Sequence, residues 1–338
     1  MNFYVRISNA EGGVCALSDK SLGYRAVEAL MRVYGTRRIT DRSYEGLLRY
    51  AARRDALLSG RPPRLLYAKY AVESFSVAGC PGYRIGPKGR RAEKAVLFLH
   101  GGAFVLQITP FHYRWIAHMI DALGVCVYVP LYPLAPRERC DRALDNLLCY
   151  YRRVLQSYAG ADVTFAGDSA GGSLCLSLAM LARNRAQPLP ARLVLLSPCC
   201  SLCATEKQLA VMREIEKRDV MLSTKMIDTI PRLIAQDFDP RHYLASPLYG
   251  NFSGLPPVHI FSGTADILFV QALLLVERLK KHRAPYTFRV ARDRMHVWAL
   301  TPCREGREAL RALIRAVAGD RDEQARSGVR ASGEKPKP

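Results

Sequence analysis

Apolar residues in the first part of the chain recur with a helical rather than an alternating period. Leu22, Val27, Leu30, Met31 and Val33, followed by Leu47, Leu48, Tyr50, Leu57 and Leu58, predict helices over 21–58, closed by Arg61-Pro62-Pro63. The period then changes. Residues 66–86 alternate and contain Gly79-Cys80-Pro81-Gly82, which predicts a β-hairpin or meander. From residue 95 onward short apolar runs and longer amphipathic stretches take turns. Runs at 95–99, 125–129, 163–166, 193–196, 258–262 and 286–290 read as strands. A stretch ending near Leu123 and those at 142–158, 170–185, 269–282 and 305–317 read as helices. Strands alternating with helices of this length predict an α/β fold with a mostly parallel sheet covered on both faces. Residues 204–240 break the rhythm, being helical in pattern between two strands, as an insertion over a site would be. The last twenty residues are polar and aperiodic, so 319–338 read as a disordered tail.

Composition narrows the function classes. Of 338 residues 49% are hydrophobic, enough for a large core, yet no run approaches the ~18 uninterrupted apolar residues of a membrane span. The segment MNFYVRISNAEGG lacks the apolar stretch of a secretory signal, so a soluble, cytoplasmic protein is expected. The formal net charge is +20, and residues 1–94, with 18 basic against 8 acidic, hold half of that excess. The basic residues are scattered, without a stripe interleaved with aromatics or a helix–turn–helix pattern, so no nucleic-acid partner is expected. Ten cysteines include Cys199, Cys200 and Cys203, but no second Cys/His pair follows at ligand spacing and no metal is expected.

Gly167-Asp168-Ser169-Ala170-Gly171 fits G-x-S-x-G, and its setting gives it weight: a strand at 163–166 precedes it and a helix follows. A tight turn there lifts the serine hydroxyl above the sheet and leaves the Ala170 N–H unpaired at a helix start. His100-Gly101-Gly102-Ala103-Phe104 follows the strand at 95–99, where backbone N–H groups of Gly101 and Gly102 are placed to join Ala170 as oxyanion donors. A serine needs a base, and the base an orienting carboxylate, both expected after the serine at later strand ends. Asp266 and His296 occupy such positions. His282 stands in the charged string Lys280-Lys281-His282-Arg283, His259 lies inside a strand, and Asp237 and Asp239 belong to the insertion. The candidate catalytic set is therefore Ser169, Asp266 and His296.

The stretches LFLHGGAFV, VYVPLYPLAP, FAGDSAGGSL, YLASPLYGNFSGLPPVHIFSGTADIL and RMHVW, collinear over residues 95–300, resemble the hormone-sensitive-lipase-type esterases of the α/β-hydrolase superfamily. That resemblance implies an α/β-hydrolase core at 66–203 and 241–318, capped by helices from 1–65 and from the insertion 204–240. It also implies a serine carboxylesterase that needs no cofactor, acts on a small acyl ester and leaves a homodimer open. An amidase or formamidase with the same triad is the alternative, as is a receptor on this scaffold, whose sign would be loss of the histidine. Four positions depart from the family pattern: Ala103 for a third glycine, Gln107 where a glycine is frequent, Arg137 for the glutamate of LAPE, and Ser173 for the asparagine of GGN. Phe104, Asp168, Met31, Tyr34 and Met221 are the candidate pocket residues, and bulky cap side chains such as Tyr24, Met212, Met226 and Ile230 are expected to close the pocket to long acyl chains.

Overall fold

The computed structural model describes residues 20–34, 37–57 and 60–319. Its sheet has eight strands: β1 (Ala71–Val77), β2 (Cys80–Gly86), β3 (Ala95–Leu99), β4 (Cys126–Pro130), β5 (Val163–Asp168), β6 (Arg192–Leu196), β7 (Val258–Gly263) and β8 (Tyr286–Ala291). Their spatial order is β1-β2-β4-β3-β5-β6-β7-β8, antiparallel through β2–β4 and parallel from there on. The strands β3, β4, β5 and β7 are buried along their whole length, as a parallel sheet covered on both faces requires.

The first helices are α1 (Leu22–Tyr34), α2 (Arg37–Thr40), α3 (Tyr44–Leu57) and α4 (Arg64–Lys69). The last of these differs from the alternation read at 66–69. Pro63, with φ −53°, sets the chain to enter a helix, and the short segment buries Leu66 while Leu65 and Tyr67 stay exposed. The hairpin itself turns at Ala78-Gly79, both at positive φ, the geometry that matches the twist of two adjacent strands.

Later helices are α5 (Pro110–Leu123), α6 (Cys140–Leu155), α7 (Ala170–Asn184), α8 (Glu206–Glu216), α9 (Met226–Ile234), α10 (Phe269–Lys281) and α11 (Arg304–Ala318). Every residue of α7 from Ala170 to Ala182 is buried, so this helix is apolar all round and lies inside the molecule. One large apolar cluster includes Leu97, Phe165, Leu174 and Ile260, and a second includes Phe98, Trp115, Val127 and Leu313. The segment between β6 and β7 folds as α8 and α9, with Met212, Met226 and Ile230 buried in the first cluster. Residues 1–19 and 320–338, and with them the reading of a disordered tail, lie outside the described residues. Among the described residues no helix is long and apolar enough to cross a membrane.

Candidate active site

Three strand ends converge on one point. Ser169 follows β5 at φ 50°, a backbone conformation that costs a non-glycine residue energy. The surroundings enforce it: the Ser169 N–H donates to the Leu196 carbonyl at 2.9 Å, and the chain must at once enter α7. Close approach explains the flanking glycine, since a Cβ on Gly171 would run into the backbone carbonyl of Leu99. Asp266 lies just past β7 and His296 just past β8.

The side chains meet in series. His296 Nε2 stands 3.0 Å from Ser169 Oγ, and its Nδ1 stands 2.8 Å from Asp266 Oδ2. The other Asp266 oxygen accepts the Leu268 N–H at 2.9 Å, which fixes the carboxylate plane. All three are buried. Burial by itself favours the neutral imidazole, but the charge and hydrogen bond of Asp266, with Asp219 and Asp168 adding, hold the His296 pKa above the ordinary 6.5. A ring that is to take a proton from Ser169 must be neutral; if His296 has that role, kcat/KM should fall on acidification through a limb centred above 6.5. A pH–rate profile checks this, and a limb at or below the ordinary value would mean that the carboxylates do not act on the ring.

The rival residues lie elsewhere. Asp237 is exposed and pairs with Arg139 at 2.6 Å, while Asp239 accepts the Arg241 N–H. His282 stands 3.3 Å from Ser253 Oγ, and His259 2.9 Å from Thr287 Oγ1.

Two expectations are corrected by the loop after β3. The Gly101 N–H is not an oxyanion donor, because it donates to Asp168 Oδ1 at 3.0 Å in the buried interior. Asp168 in turn is not a pocket residue. It is 3% exposed and faces this loop, with His112 Nε2 3.3 Å from its carboxylate. The Thr109 N–H donates to His112 Nδ1 at 3.0 Å, so Nε2 carries the N–H that points at Asp168. Burial alone would raise the Asp168 pKa; His112, the Gly101 N–H and His100 outweigh it and keep the group low, hence ionised. Beyond this anchor, the Gly102 and Ala103 N–H groups donate to no other group among the described residues, and Ala103 takes φ 52°. His100 is structural: its Nδ1–H donates to the Gly101 carbonyl, and burial beside His112 pushes its pKa down to about 4, so it stays neutral.

The other pocket candidates sit as follows. Phe104 is buried at φ 61° and lines a narrow recess with Tyr132, Ala135, Leu174 and Ile234. Met31 packs half-buried against the second cluster, and Met221 half-buried against both. The Tyr34 side chain lies outside the described residues. Tyr24 is committed elsewhere, accepting the Met295 N–H at 2.8 Å directly before His296. The Leu134–Arg137 loop is held without the family glutamate: the Ala135 N–H donates to Phe104 O, and Gln236 Nε2 to Pro136 O, both at 2.9 Å.

Known proteins share this arrangement of elements. A model of the alpha/beta hydrolase fold matches residues 96–300. An acetyl-hydrolase of Streptomyces hygroscopicus is 31% identical over 277 residues, covering 77% of this chain and 91% of that protein. The hormone-sensitive lipase of Mus musculus is 29% identical over 119 residues, 33% of this chain and 16% of that protein. A solved esterase of the bacterial hormone-sensitive lipase family superposes with a TM-score of 0.75 at 26% identity, covering 89% of this chain and 99% of that one. The chain belongs to the hormone-sensitive-lipase-type esterases of the alpha/beta hydrolase fold. The region matched by the family runs from inside β3 to just past His296.

Proposed function

We propose that this chain hydrolyses short- to medium-chain acyl esters through an acyl-enzyme on Ser169. Membership of the family makes it a carboxylic ester hydrolase. The finer reading rests on one observation above the others, the series Ser169–His296–Asp266 at 3.0 and 2.8 Å. In this reading His296 takes the Ser169 proton as Oγ attacks the ester carbonyl. The N–H groups of Gly102, Ala103 and Ala170 receive the oxyanion. His296 then protonates the departing alcohol, and water releases the acyl group by the same route.

Chain-length preference follows from enclosure. Ser169 is only 8% exposed, and we read the described parts of 1–65 together with 204–240 as the cap. The bulky cap residues Met212, Met226 and Ile230 are packed as core, and Phe104 with Ile234 bounds the recess beside Tyr132. Each buried methylene contributes about 0.8 kcal/mol until the space is full, after which overpacking costs roughly 1–3 kcal/mol. Across p-nitrophenyl esters, kcat/KM should therefore rise from acetyl to butyryl or hexanoyl and fall sharply before dodecanoyl, with no jump at a lipid–water interface. A maximum at ten carbons or more would mean an open lipid groove and overturn this reading.

A further inference from the structure

The segment between β6 and β7 sends one carboxylate to the Asp266 loop. Asp219 follows the end of α8, is 1% exposed, and accepts three backbone N–H groups. Its Oδ1 accepts those of Met221 and Leu222 at 2.8 and 2.9 Å, closing the turn on which it stands. Its Oδ2 accepts that of Ile267 at 2.9 Å. Ile267 is the residue after Asp266, so this bond spans from the putting-down point of the insertion to the peptide beside the carboxylate that orients His296. The turn is gripped from its other side by Arg37, whose Nη1 donates to the carbonyls of Asp219 and Glu216 at 2.9 and 3.0 Å. A continuous path thus runs from α2 through Arg37, the Asp219 turn and Ile267 to Asp266.

A buried carboxylate so close to a second one is costly unless its charge is used. A turn could be closed by a neutral asparagine or serine at less cost. We propose that Asp219 is a positioning residue for the reaction: it clamps the Asp266 loop to the overlying helices and adds a second negative charge behind the His296 imidazole. This inference rests on the triad reading above. Burial first, then the charge of Asp266, push Asp219 up to about 6, against the three N–H donors, so it ionises within the range in which His296 must become a base. Charged groups meet Asp219 from several elements. Asp266 and His296 face it from the β7 and β8 ends. Asp168 acts on His296 from β5. Arg37 grips the peptide and also pairs with Glu216, which is held by Thr224, and the neighbouring Arg218 pairs with Asp293.

The test is Asp219→Asn beside Arg37→Ala, with Ser169→Ala in parallel, each read as kcat, KM and the pH profile on p-nitrophenyl butyrate. Asp219→Asn removes the charge and spoils the clamp, so kcat should fall about 10- to 100-fold with KM within about twofold. Its acid limb should move to lower pH by about half a unit or more, because His296 loses a charge that favours its protonated form. Arg37→Ala loosens the turn but leaves the charge, so kcat should fall with the limb unmoved. An Asp219→Asn enzyme with wild-type kcat, or with lowered kcat and an unmoved limb, overturns the proposal; the second result would mark Asp219 as a turn-closing residue alone. Should Asp219→Asn not fold, an Arg37→Ala enzyme with unchanged kcat overturns the clamp. Failure of the triad reading is separate: it would show as activity retained in Ser169→Ala, whereas an inactive Ser169→Ala beside a wild-type-like Asp219→Asn refutes this inference alone.

Discussion

Asp266→Asn should lower kcat by about 10⁴ while leaving the protein folded. The carboxylate Oδ2 accepts from His296 Nδ1 at 2.8 Å, so it selects the tautomer whose Nε2 is free to accept the Ser169 proton. Asparagine can turn its amide nitrogen toward Nδ1 and hold the opposite tautomer, which leaves Nε2 protonated and useless as a base. It also withdraws the negative charge that stabilises the imidazolium formed in each step. The Leu268 N–H, which holds Oδ1 at 2.9 Å, still finds an acceptor in the amide oxygen, and this keeps the loop in place. Asp237→Asn and Asp239→Asn are the controls. The first sits in an exposed pair with Arg139 and the second caps its own turn, so both variants should stay close to wild type. Steady-state kinetics on one short ester decide it, and a larger loss from either control would reassign the acid.

Asp168→Ala should cost about 10²–10³ in kcat, through the loop it anchors. The side chain is fully engaged with the Gly101 N–H and His112, both in the interior. Its removal strands two donors, each at roughly 1–3 kcal/mol, and the loop can recover them only by moving. Gly102 and Ala103 are the next two residues, so movement of Gly101 displaces their N–H groups from the oxyanion. Asp168→Asn keeps an acceptor for Gly101 and should lose much less. The measurement is kcat for both variants with thermal midpoints beside them. An Asp168→Ala enzyme that is destabilised but catalytically intact would show that the anchor does not set the oxyanion donors.

Legibility in the sequence followed the range of the interactions involved. The strands from β3 onward were readable because each is an apolar run bounded by polar or glycine-bearing turns. Ser169, Asp266 and His296 could be nominated because each follows such a run at the end of a parallel strand. The fate of the Gly101 N–H was not readable, since it depends on how a loop folds back over the end of β5. A clue existed: the pairing of Leu99 with Gly167 sets Asp168 beside the start of that loop, but register between β3 and β5 is itself a tertiary property. Asp219 reads locally as no more than a turn-closing residue, because the partner that ties it to the site, Ile267, lies far along the chain in another element. Helix α4 leaves no periodic mark, because a six-residue helix that buries only Leu66 shows too few apolar positions to set a helical period apart from alternation. Tyr24, Met212 and Met226 are bulky enough to wall a pocket, and the fold buries all three in its apolar clusters.

The central claim is that Ser169 is activated by His296 in the folded protein. The most direct measurement is the intact mass of the chain after exposure to a fluorophosphonate near neutral pH, compared between the wild type and Ser169→Ala. Only a serine paired with a base attacks phosphorus under these conditions. The expected result is one adduct on the wild type, mapped to Ser169, and none on the variant. Equal labelling of the Ser169→Ala protein, or an adduct mapped to another serine, would contradict the assignment.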